Sequence, residues 1–172
     1  TGDELVDPPA PLGPGKIYNS NHYTLQSLIL SLGMEPVDLG MVADSAEATE
    51  QALHLGRQLA DCILSSGGVS VGEEDHVKAA IEKLGALELW RLAIKPGKPL
   101  TFGHFRAVPV IGLPGNPAST LVTFALLARP YLLRRQGVED VQPLPFAVPV
   151  GFVRDKAGNR RETVPGRVGK GR

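Results

Sequence analysis

The sequence predicts an α/β protein with a mixed, mostly parallel sheet. Short apolar runs of strand character alternate with longer segments whose apolar residues recur at helical spacing. Three Gly- and Pro-rich loops each follow an apolar run directly, and the first and third are followed in turn by a helical pattern. Because open α/β sheets bind ligands at the carboxyl ends of their strands, these loops mark the expected site.

The helices are predicted from capping residues and from apolar residues at helical spacing. Side-chain oxygens before an apolar periodic run can accept hydrogen bonds from the first backbone N–H groups of a helix. Gly33 ends the first of these patterns. In chain order we expect helices from Asn19–Asn21 to Gly33, from Asp44–Ser45 to about Leu59, from about His76 to Leu84, and from Asn116 or Pro117 to Arg135.

The strands are predicted from short apolar runs bounded by turn residues. The last three runs follow one another with only turn residues between them. At least one antiparallel pair is therefore expected in an otherwise parallel sheet. In chain order the predicted strands are Val37–Val42, Asp61–Ser65, Leu87–Ile94, Leu100–Phe105 and Ala107–Leu113.

A second structural unit is expected to begin near residue 142. Residues 142–145 (Gln-Pro-Leu-Pro) have the composition of a linker, and residues 146–153 have strand character. We therefore expect an α/β domain over residues 1–141, followed over residues 142–172 by a linker and the start of a small, incomplete β domain. The chain also opens on a turn-like segment, so the sequence is expected to be a fragment of a longer protein.

Composition argues against bulk attraction to nucleic acid or to a membrane. The 172 residues include 18 basic and 18 acidic ones. The longest apolar stretch, residues 121–133, is shorter than the roughly 18 residues that a membrane span needs. Cys62 is the single cysteine and cannot form an internal disulfide, which is typical of a reducing compartment. We expect a cytoplasmic protein without a nucleic-acid or membrane partner.

The first loop has the composition of a phosphate site. The adjacent glycines Gly67 and Gly68 let successive backbone N–H groups point one way, and Ser66 and Ser70 add hydroxyl donors on either side of Val69. The helix that follows adds its positive end. The acids of residues 73–75 could be ordinary helix caps. Beside a bound anion, however, a carboxylate favours a bridging hard cation such as Mg²⁺.

The second and third loops also suit an anion. Lys95 and Lys98 lie in the sequence KPGKP, whose prolines stiffen the loop and hold both ammonium groups in place. An ordinary surface lysine pair is the alternative. The third loop, LPGNP, combines a rigid turn with a helix start and exposes the N–H groups of Gly115 and Asn116. As a lone motif it could equally be a plain strand-to-helix turn.

Five motifs in order carry a family resemblance: TGDEL, GKIYNSN, SSGGVSVGEEDHVK, AIKPGKPLTFG and GLPGNPAS. With these motifs the chain resembles the molybdopterin molybdotransferase family of molybdenum cofactor biosynthesis, which includes MoeA and the gephyrin E domain. The resemblance runs from Thr1 to about Arg135. It implies a three-layer α/β/α molybdopterin-binding fold. In the family this fold is followed by a small β-barrel domain and preceded by two further domains, which are not expected in this sequence.

The resemblance implies an enzyme that uses Mg²⁺ to release AMP from adenylylated molybdopterin and inserts molybdate into its dithiolene. It implies that carboxylates hold Mg²⁺, that lysines meet molybdate or phosphate, and that prolines shape the pocket. The implied catalytic residues are Glu4, Asp44, Asp75, Lys95 and Lys98, with Glu4 and Asp75 as the magnesium ligands. The expected molybdopterin-binding residues are Ser66, Gly67, Gly68, Val69, Ser70, Pro114, Gly115, Asn116 and Pro117.

The resemblance also implies partners. In the family an N-terminal domain of the other subunit completes the site in a homodimer, so this chain alone is expected to bind molybdopterin without turning it over. A molybdopterin adenylyltransferase is a candidate partner.

Three alternatives remain. A MogA-type molybdopterin adenylyltransferase would share the fold but differ in the loop after the glycine pair. A competence-damage-type domain would act on pyridine nucleotides, although KPGKP and LPGNPAS argue against it. The third alternative is a non-catalytic scaffold like gephyrin's domain, which binds receptor tails.

Overall fold

The computed structural model describes residues 1–68, 76–90, 92–97, 99–145, 147–149, 151 and 159–163. Its helices are α1 (Ser20–Ser31), α2 (Ala46–Leu59), α3 (His76–Leu84), α4 (Pro117–Thr123) and α5 (Arg129–Arg135). Its strands are β1 (Leu5–Val6), β2 (Ile17–Tyr18), β3 (Ile63–Ser66), β4 (Ala86–Trp90), β5 (Ile94–Lys95), β6 (Thr101–Phe105), β7 (Val108–Leu113) and β8 (Arg161–Glu162).

The central sheet has four strands in the order β3-β7-β6-β4. β3 runs parallel to β7, with Ile63 opposite Val110 and Ser66 opposite Leu113. β6 runs antiparallel to both of its neighbours, β7 and β4. β3, β7 and β4 therefore point the same way, and the mixed sheet predicted from the sequence is confirmed. β1 with β2 and β5 with β8 form two separate parallel pairs.

Helices cover both faces of this sheet and give the three-layer α/β/α arrangement. Val110 and Ile111 are neighbours on β7 but belong to different core clusters, because successive strand side chains point to opposite faces. One cluster includes residues of α2 and α3, and the other includes residues of α1, of α5 and of the helical turn over residues 124–128. The buried apolar residues of the first are Leu53, Ile63, Val77, Ala80, Ile81, Phe105 and Val110, and those of the second are Leu25, Leu100, Ile111, Leu113, Phe124, Ala128 and Leu132.

The helix starts confirm the predicted caps. The side chain of Asn19 accepts a hydrogen bond from the backbone N–H of His22 at 3.3 Å. Ser45 begins α2 in the same way, with 3.2 Å between its Oγ and the N of Ala48. Asn116 caps α4, where its Oδ1 lies 3.1 Å from the N of Ser119. Each bond satisfies a backbone donor that has no partner inside its helix.

The long helix predicted up to Arg135 is confirmed with one interruption, a π-helical turn over Phe124–Ala128 between α4 and α5. Arg129 N–H bonds to the carbonyl oxygen of Phe124, five residues earlier. Pro130 has no N–H, and in a regular α-helix its ring would clash with the carbonyl four residues before it. The wider turn accommodates Pro130 without ending the helix.

The strand predicted over Val37–Val42 is wrong, because this segment has no helix or strand assignment. The side chain of Asp38 accepts a hydrogen bond from the N–H of Gly40 at 2.8 Å, and Gly40 has a φ of +74°. This local turn takes the backbone off an extended path. The segment instead lines a cavity of about 650 Å³, together with residues of α1, α2 and β3.

The predicted second unit is described only in part. Residues 142–145 form neither helix nor strand. In the strand predicted over residues 146–153, the described residues 147–149 and 151 have no strand conformation, and the other four lie outside the described residues. Further on, β8 returns to β5, where the N–H of Thr163 bonds to the carbonyl of Lys95 at 2.7 Å. The boundary at residue 142 stays a prediction. Within the described ranges, no helix combines the length and the apolar character needed to cross a membrane.

Candidate functional site

Two of the three predicted loops leave the sheet side by side. β3 and β7 are neighbouring parallel strands, and the N–H of Gly67 bonds to the carbonyl oxygen of Leu113 at 3.1 Å. A Cβ atom placed on Gly115 would lie 3.6 Å from the Cα of Gly67. The loop after β3 and the turn after β7 therefore touch at the carboxyl edge of the sheet. We call this place the rim, and define it by residues 66–68 and 114–116.

The glycine pair of the rim lies against the start of the chain. Gly67 and Gly68 have φ values of +83° and +64°, which favour glycine. A Cβ atom on Gly67 would lie 2.5 Å from the carbonyl oxygen of Thr1, and one on Gly68 would lie 2.8 Å from Thr1 Oγ1. No side chain at residue 67 or 68 fits beside Thr1, so the TGDEL segment can pack against the SSGG loop only because these residues are glycines.

A buried amide that the sequence interpretation used only as a helix cap joins the two halves of the rim. Asn21 Nδ2 donates to Ser66 Oγ at 2.6 Å and to the carbonyl oxygen of Gly115 at 2.7 Å. Asn21 and Leu25 are the buried residues of α1, one helical turn apart. A polar residue on the apolar stripe of a helix was the signal that could have identified it.

Hydroxyl groups support the turn after β7. Pro114 is buried, and its carbonyl oxygen accepts from Thr120 Oγ1 at 2.6 Å and from Ser66 Oγ at 3.4 Å. Thr120 is fully buried and also bonds the carbonyl of Asn116 at 2.9 Å. Pro117 is the exposed first residue of α4. The turn is therefore fixed from inside the protein while Gly115 to Pro117 face outward.

Two predicted acids, Glu4 and Asp44, each contact the first residues of the TGDEL segment, which lies beside the glycine pair. A Cβ atom placed on Gly2 would lie 2.6 Å from Glu4 Oε2, so the Glu4 carboxylate lies against the backbone of this segment. The backbone N–H of Asp44 donates to Asp3 Oδ1 at 3.2 Å. His76 Nε2 lies 4.0 Å from Asp44 Oδ1, which brings α3 to the same place.

These carboxylates do not form a complete metal site by themselves. Among the described residues, no group of three or more His, Cys, Asp or Glu side chains is arranged to hold a metal ion. Asp75, the second expected magnesium ligand, lies outside the described residues. So do three other predicted site residues, Val69, Ser70 and Lys98. Their placement stays a prediction.

The second predicted loop, KPGKP, contacts the end of α4. Gly97 has a φ of +108°, and a Cβ atom there would lie 2.5 Å from Thr123 Cγ2. Lys95 precedes it on β5, and its Nζ lies 2.8 Å from Glu162 Oε1. The Lys95 side chain is 59 % exposed. Its charge is therefore engaged by the tail of the chain, whereas the sequence interpretation expected it to meet a bound anion.

Comparison with known proteins gives a consistent family. The model of a family described as "Probable molybdopterin binding domain" matches residues 1–134. A "Molybdopterin molybdenumtransferase" from Haemophilus influenzae is 46% identical over 137 residues, which are 80% of this chain and 34% of that protein. The "Molybdenum cofactor synthesis protein cinnamon" of Drosophila melanogaster is 40% identical over 131 residues, 76% of this chain and 22% of that protein.

Solved structures agree with these sequence matches. A molybdopterin biosynthesis MoeA protein from Pyrococcus horikoshii has a TM-score of 0.70 at 37% identity, covering 78% of this chain and 33% of that one. This chain thus spans about a third of the MoeA structure and of the Haemophilus influenzae relative. The family match extends over the whole α/β layer structure and includes every described rim residue. The chain therefore belongs to the molybdopterin-binding domain family that its five motifs indicate.

Proposed function

We propose that this chain is the molybdopterin-binding part of a transferase that inserts molybdate into adenylylated molybdopterin and releases AMP. One observation carries the proposal: the glycine loop after β3, the turn after β7 and the TGDEL segment, to which Asp44 is hydrogen-bonded, meet at one edge of the sheet. The relatives named molybdopterin molybdenumtransferase support the reaction class.

In this proposal the rim binds the phosphate and the pterin. The positive φ values of Gly67 and Gly68 turn the backbone sharply and expose N–H groups, which suit an anion. Ser66 adds a hydroxyl, and the turn from Pro114 to Asn116 forms the facing wall. Because hydroxyl groups buried beneath it hold that turn, it is rigid before the ligand arrives. A preformed site loses less free energy to ordering when it binds.

Mg²⁺ would be held by Glu4, Asp44 and Asp75. Mg²⁺ in proteins often takes one or two carboxylates and completes its shell with water and substrate phosphate oxygens. Glu4 and Asp44 fit that pattern, since Glu4 belongs to the TGDEL segment beside the glycine pair and the backbone N–H of Asp44 bonds to Asp3 in the same segment. When bound, the ion would offset the negative charge of the phosphate beside these carboxylates. The chain's own residues would then have only to orient the substrate.

Lys95 and Lys98 would meet the anionic groups of the substrate. In the described structure Lys95 pairs with Glu162. An exposed pair of this kind stabilises a protein by only about 0–1 kcal/mol. A bound molybdate or phosphate carries more charge than one carboxylate and could replace Glu162 at a small cost. The ion pair is thus compatible with the proposed role of Lys95.

The remaining proposals concern the whole protein. We infer a homodimer in which the partner subunit completes the site, a molybdopterin adenylyltransferase that supplies the adenylylated substrate, and a cytoplasmic location. The single cysteine, Cys62, has no partner for a disulfide within this sequence, which is compatible with a reducing compartment. This chain alone is expected to bind molybdopterin and not to turn it over.

The test is AMP release in a single turnover. The whole protein that includes these residues is mixed with adenylylated molybdopterin, molybdate and Mg²⁺, and the same reaction is run with this chain alone. AMP release by the whole protein and not by the chain is the expected result. A parallel reaction with molybdopterin and ATP tests the alternative adenylyltransferase, and product in that reaction alone would overturn the proposal.

A further inference from the structure

We propose that Asn21 is a positioning residue, which holds the two halves of the rim at the spacing that the bound ligand requires. The inference rests on the proposed function, because it assigns a role at the same site. It deepens that function by naming a side chain outside the predicted binding loops.

Both amide hydrogens of Asn21 are used to join the rim. Nδ2 lies 2.6 Å from Ser66 Oγ and 2.7 Å from the carbonyl oxygen of Gly115. Since a backbone carbonyl can only accept, the atom facing Gly115 must be the amide nitrogen. One NH₂ group therefore ties α1 to two segments that follow it by 45 and 94 residues.

The buried amide of Asn21 lowers the stability of the folded state. Asn21 is 7% exposed, and its Oδ1 has no hydrogen-bond partner within the described ranges. A buried carbonyl without a partner destabilises the folded state, and such a group calls for a specific explanation. An apolar side chain at this position, one turn before Leu25, would extend the apolar face of α1 at no such cost. The hydrogen bonds from Asn21 to Ser66 and Gly115 therefore explain this polar residue better than a contribution to stability does.

The two bonds also orient groups that face the ligand. The peptide bond between Gly115 and Asn116 is planar, so its carbonyl and its N–H point in opposite directions. A Gly115 carbonyl fixed toward Asn21 directs the Asn116 N–H to the other side of the turn. The bond to Ser66 Oγ fixes that hydroxyl in turn, and leaves its proton for the Pro114 carbonyl at 3.4 Å. Asn21 thereby sets two groups of the proposed binding site without touching the ligand.

The experiment compares Asn21→Asp, Asn21→Ala and the control Asn19→Ala in this chain. Asn19 lies two residues away, is 9% exposed and caps α1, so its loss tests a merely structural effect. The first readout is molybdopterin affinity, relative to the parent chain at each pH. The second is hydrogen exchange of the Gly67 amide, whose bond to Leu113 O spans the rim.

Both Asn21 variants should bind molybdopterin at least ten-fold more weakly near neutral pH and should exchange the Gly67 amide faster. In Asn21→Asp, an ionised carboxylate repels the Gly115 carbonyl, whereas the protonated acid can donate one hydrogen bond. Its relative affinity and its Gly67 protection should therefore recover as the pH falls, and those of Asn21→Ala should not. Asn19→Ala should lower stability and leave both readouts as in the parent.

The outcomes separate the two proposals. If the parent does not bind molybdopterin, the proposed function fails, and faster Gly67 exchange in the Asn21 variants alone would still support the positioning role. Parental exchange and affinity in both Asn21 variants would overturn it. Equal effects in Asn19→Ala, or the absence of any pH-dependent recovery in Asn21→Asp, would also overturn it, because a general loss of packing would then explain the data.

Discussion

Gly67 and Gly33 have similar positive φ values but different surroundings. Their φ values are +83° and +73°. A Cβ atom on Gly67 would lie 2.5 Å from the carbonyl oxygen of Thr1, whereas one on Gly33 would meet nothing within 4 Å. A side chain at either position pays the cost of the left-handed region, about 1–2 kcal/mol. A side chain at residue 67 would in addition clash with Thr1 and disturb the contact between TGDEL and the rim.

We therefore predict that Gly67→Ala loses more stability than Gly33→Ala and that it alone loses molybdopterin affinity, by about ten-fold or more. Urea unfolding measures the first effect, and titration of the chain with molybdopterin measures the second. Gly33→Ala is the matched control, because it carries the same backbone strain. Equal affinity in the two variants would contradict the placement of the binding site at the glycine pair.

Cys62 gives a prediction about pH. Burial raises the pKa of its thiol from 9.0 to about 11. Because the unfolded chain releases this proton at the lower pH, the stability that the thiol contributes is complete below about pH 9 and declines as the pH rises toward 11. The loss is at most on the order of 2–3 kcal/mol.

The measurement is the free energy of unfolding of the parent and of Cys62→Ala over this alkaline range. Other groups titrate there too, but they are common to both proteins. The difference between parent and variant should therefore shrink with rising pH. A constant difference would mean that the thiol is not desolvated in the folded state.

At the scale of elements, the pairing of β5 with β8 places the Glu162 carboxylate against the ammonium group of Lys95. Lys95 Nζ lies 2.8 Å from Glu162 Oε1 at the parallel pair. If Lys95 binds an anion, Glu162 competes with that anion for the same ammonium group. We predict that Glu162→Gln raises the affinity of the chain for molybdopterin by about two- to five-fold and changes stability by less than about 1 kcal/mol.

Glu50→Gln is the control for this prediction. Glu50 Oε1 lies 2.7 Å from Lys83 Nζ, so the variant removes an exposed ion pair of similar geometry away from β5. It should change stability to a similar extent and leave affinity unaltered. Higher affinity in both variants would indicate a general effect of net charge, and unchanged affinity in both would count against Lys95 as an anion ligand.

At the scale of the whole molecule, the proposed magnesium site links ligand binding to folding. A ligand that binds only the folded state stabilises it by RT ln(1 + [L]/Kd), which is about 1.4 kcal/mol at ten times Kd. Mg²⁺ should therefore raise the Tm of the parent chain. Glu4→Gln and Asp44→Asn each remove one of the proposed magnesium ligands, and should reduce that rise.

Asp140→Asn serves as the control, because Asp140 is an exposed acid after α5. Thermal unfolding is measured with Mg²⁺ and with a chelator for all four proteins. Equal Tm shifts in all of them would mean that Mg²⁺ acts through general screening. In that case Glu4 and Asp44 would not be the ligands.

What the sequence could predict depended on the distance over which each interaction acts. The short segments predicted to start helices, residues 19–21, 44–45 and 116–117, contain the caps Asn19, Ser45 and Asn116, because each cap bonds a backbone group only three residues away. The same local rule explains the failed strand at Val37–Val42. There the turn signal, Asp38 followed by Gly40, lay inside an apolar pattern and was outweighed by it.

The sequence by itself determined the helices, most strands of the mixed central sheet, two of the loops at its carboxyl edge and the family. Those features follow from periodicity, from turn residues and from five ordered motifs. Only the tertiary structure decided that Asn21 joins Ser66 to Gly115, that Asp44 bonds to Asp3 in the TGDEL segment, and that Lys95 faces Glu162. These contacts depend on which strands become neighbours, and side-chain spacing along one segment does not specify its partner.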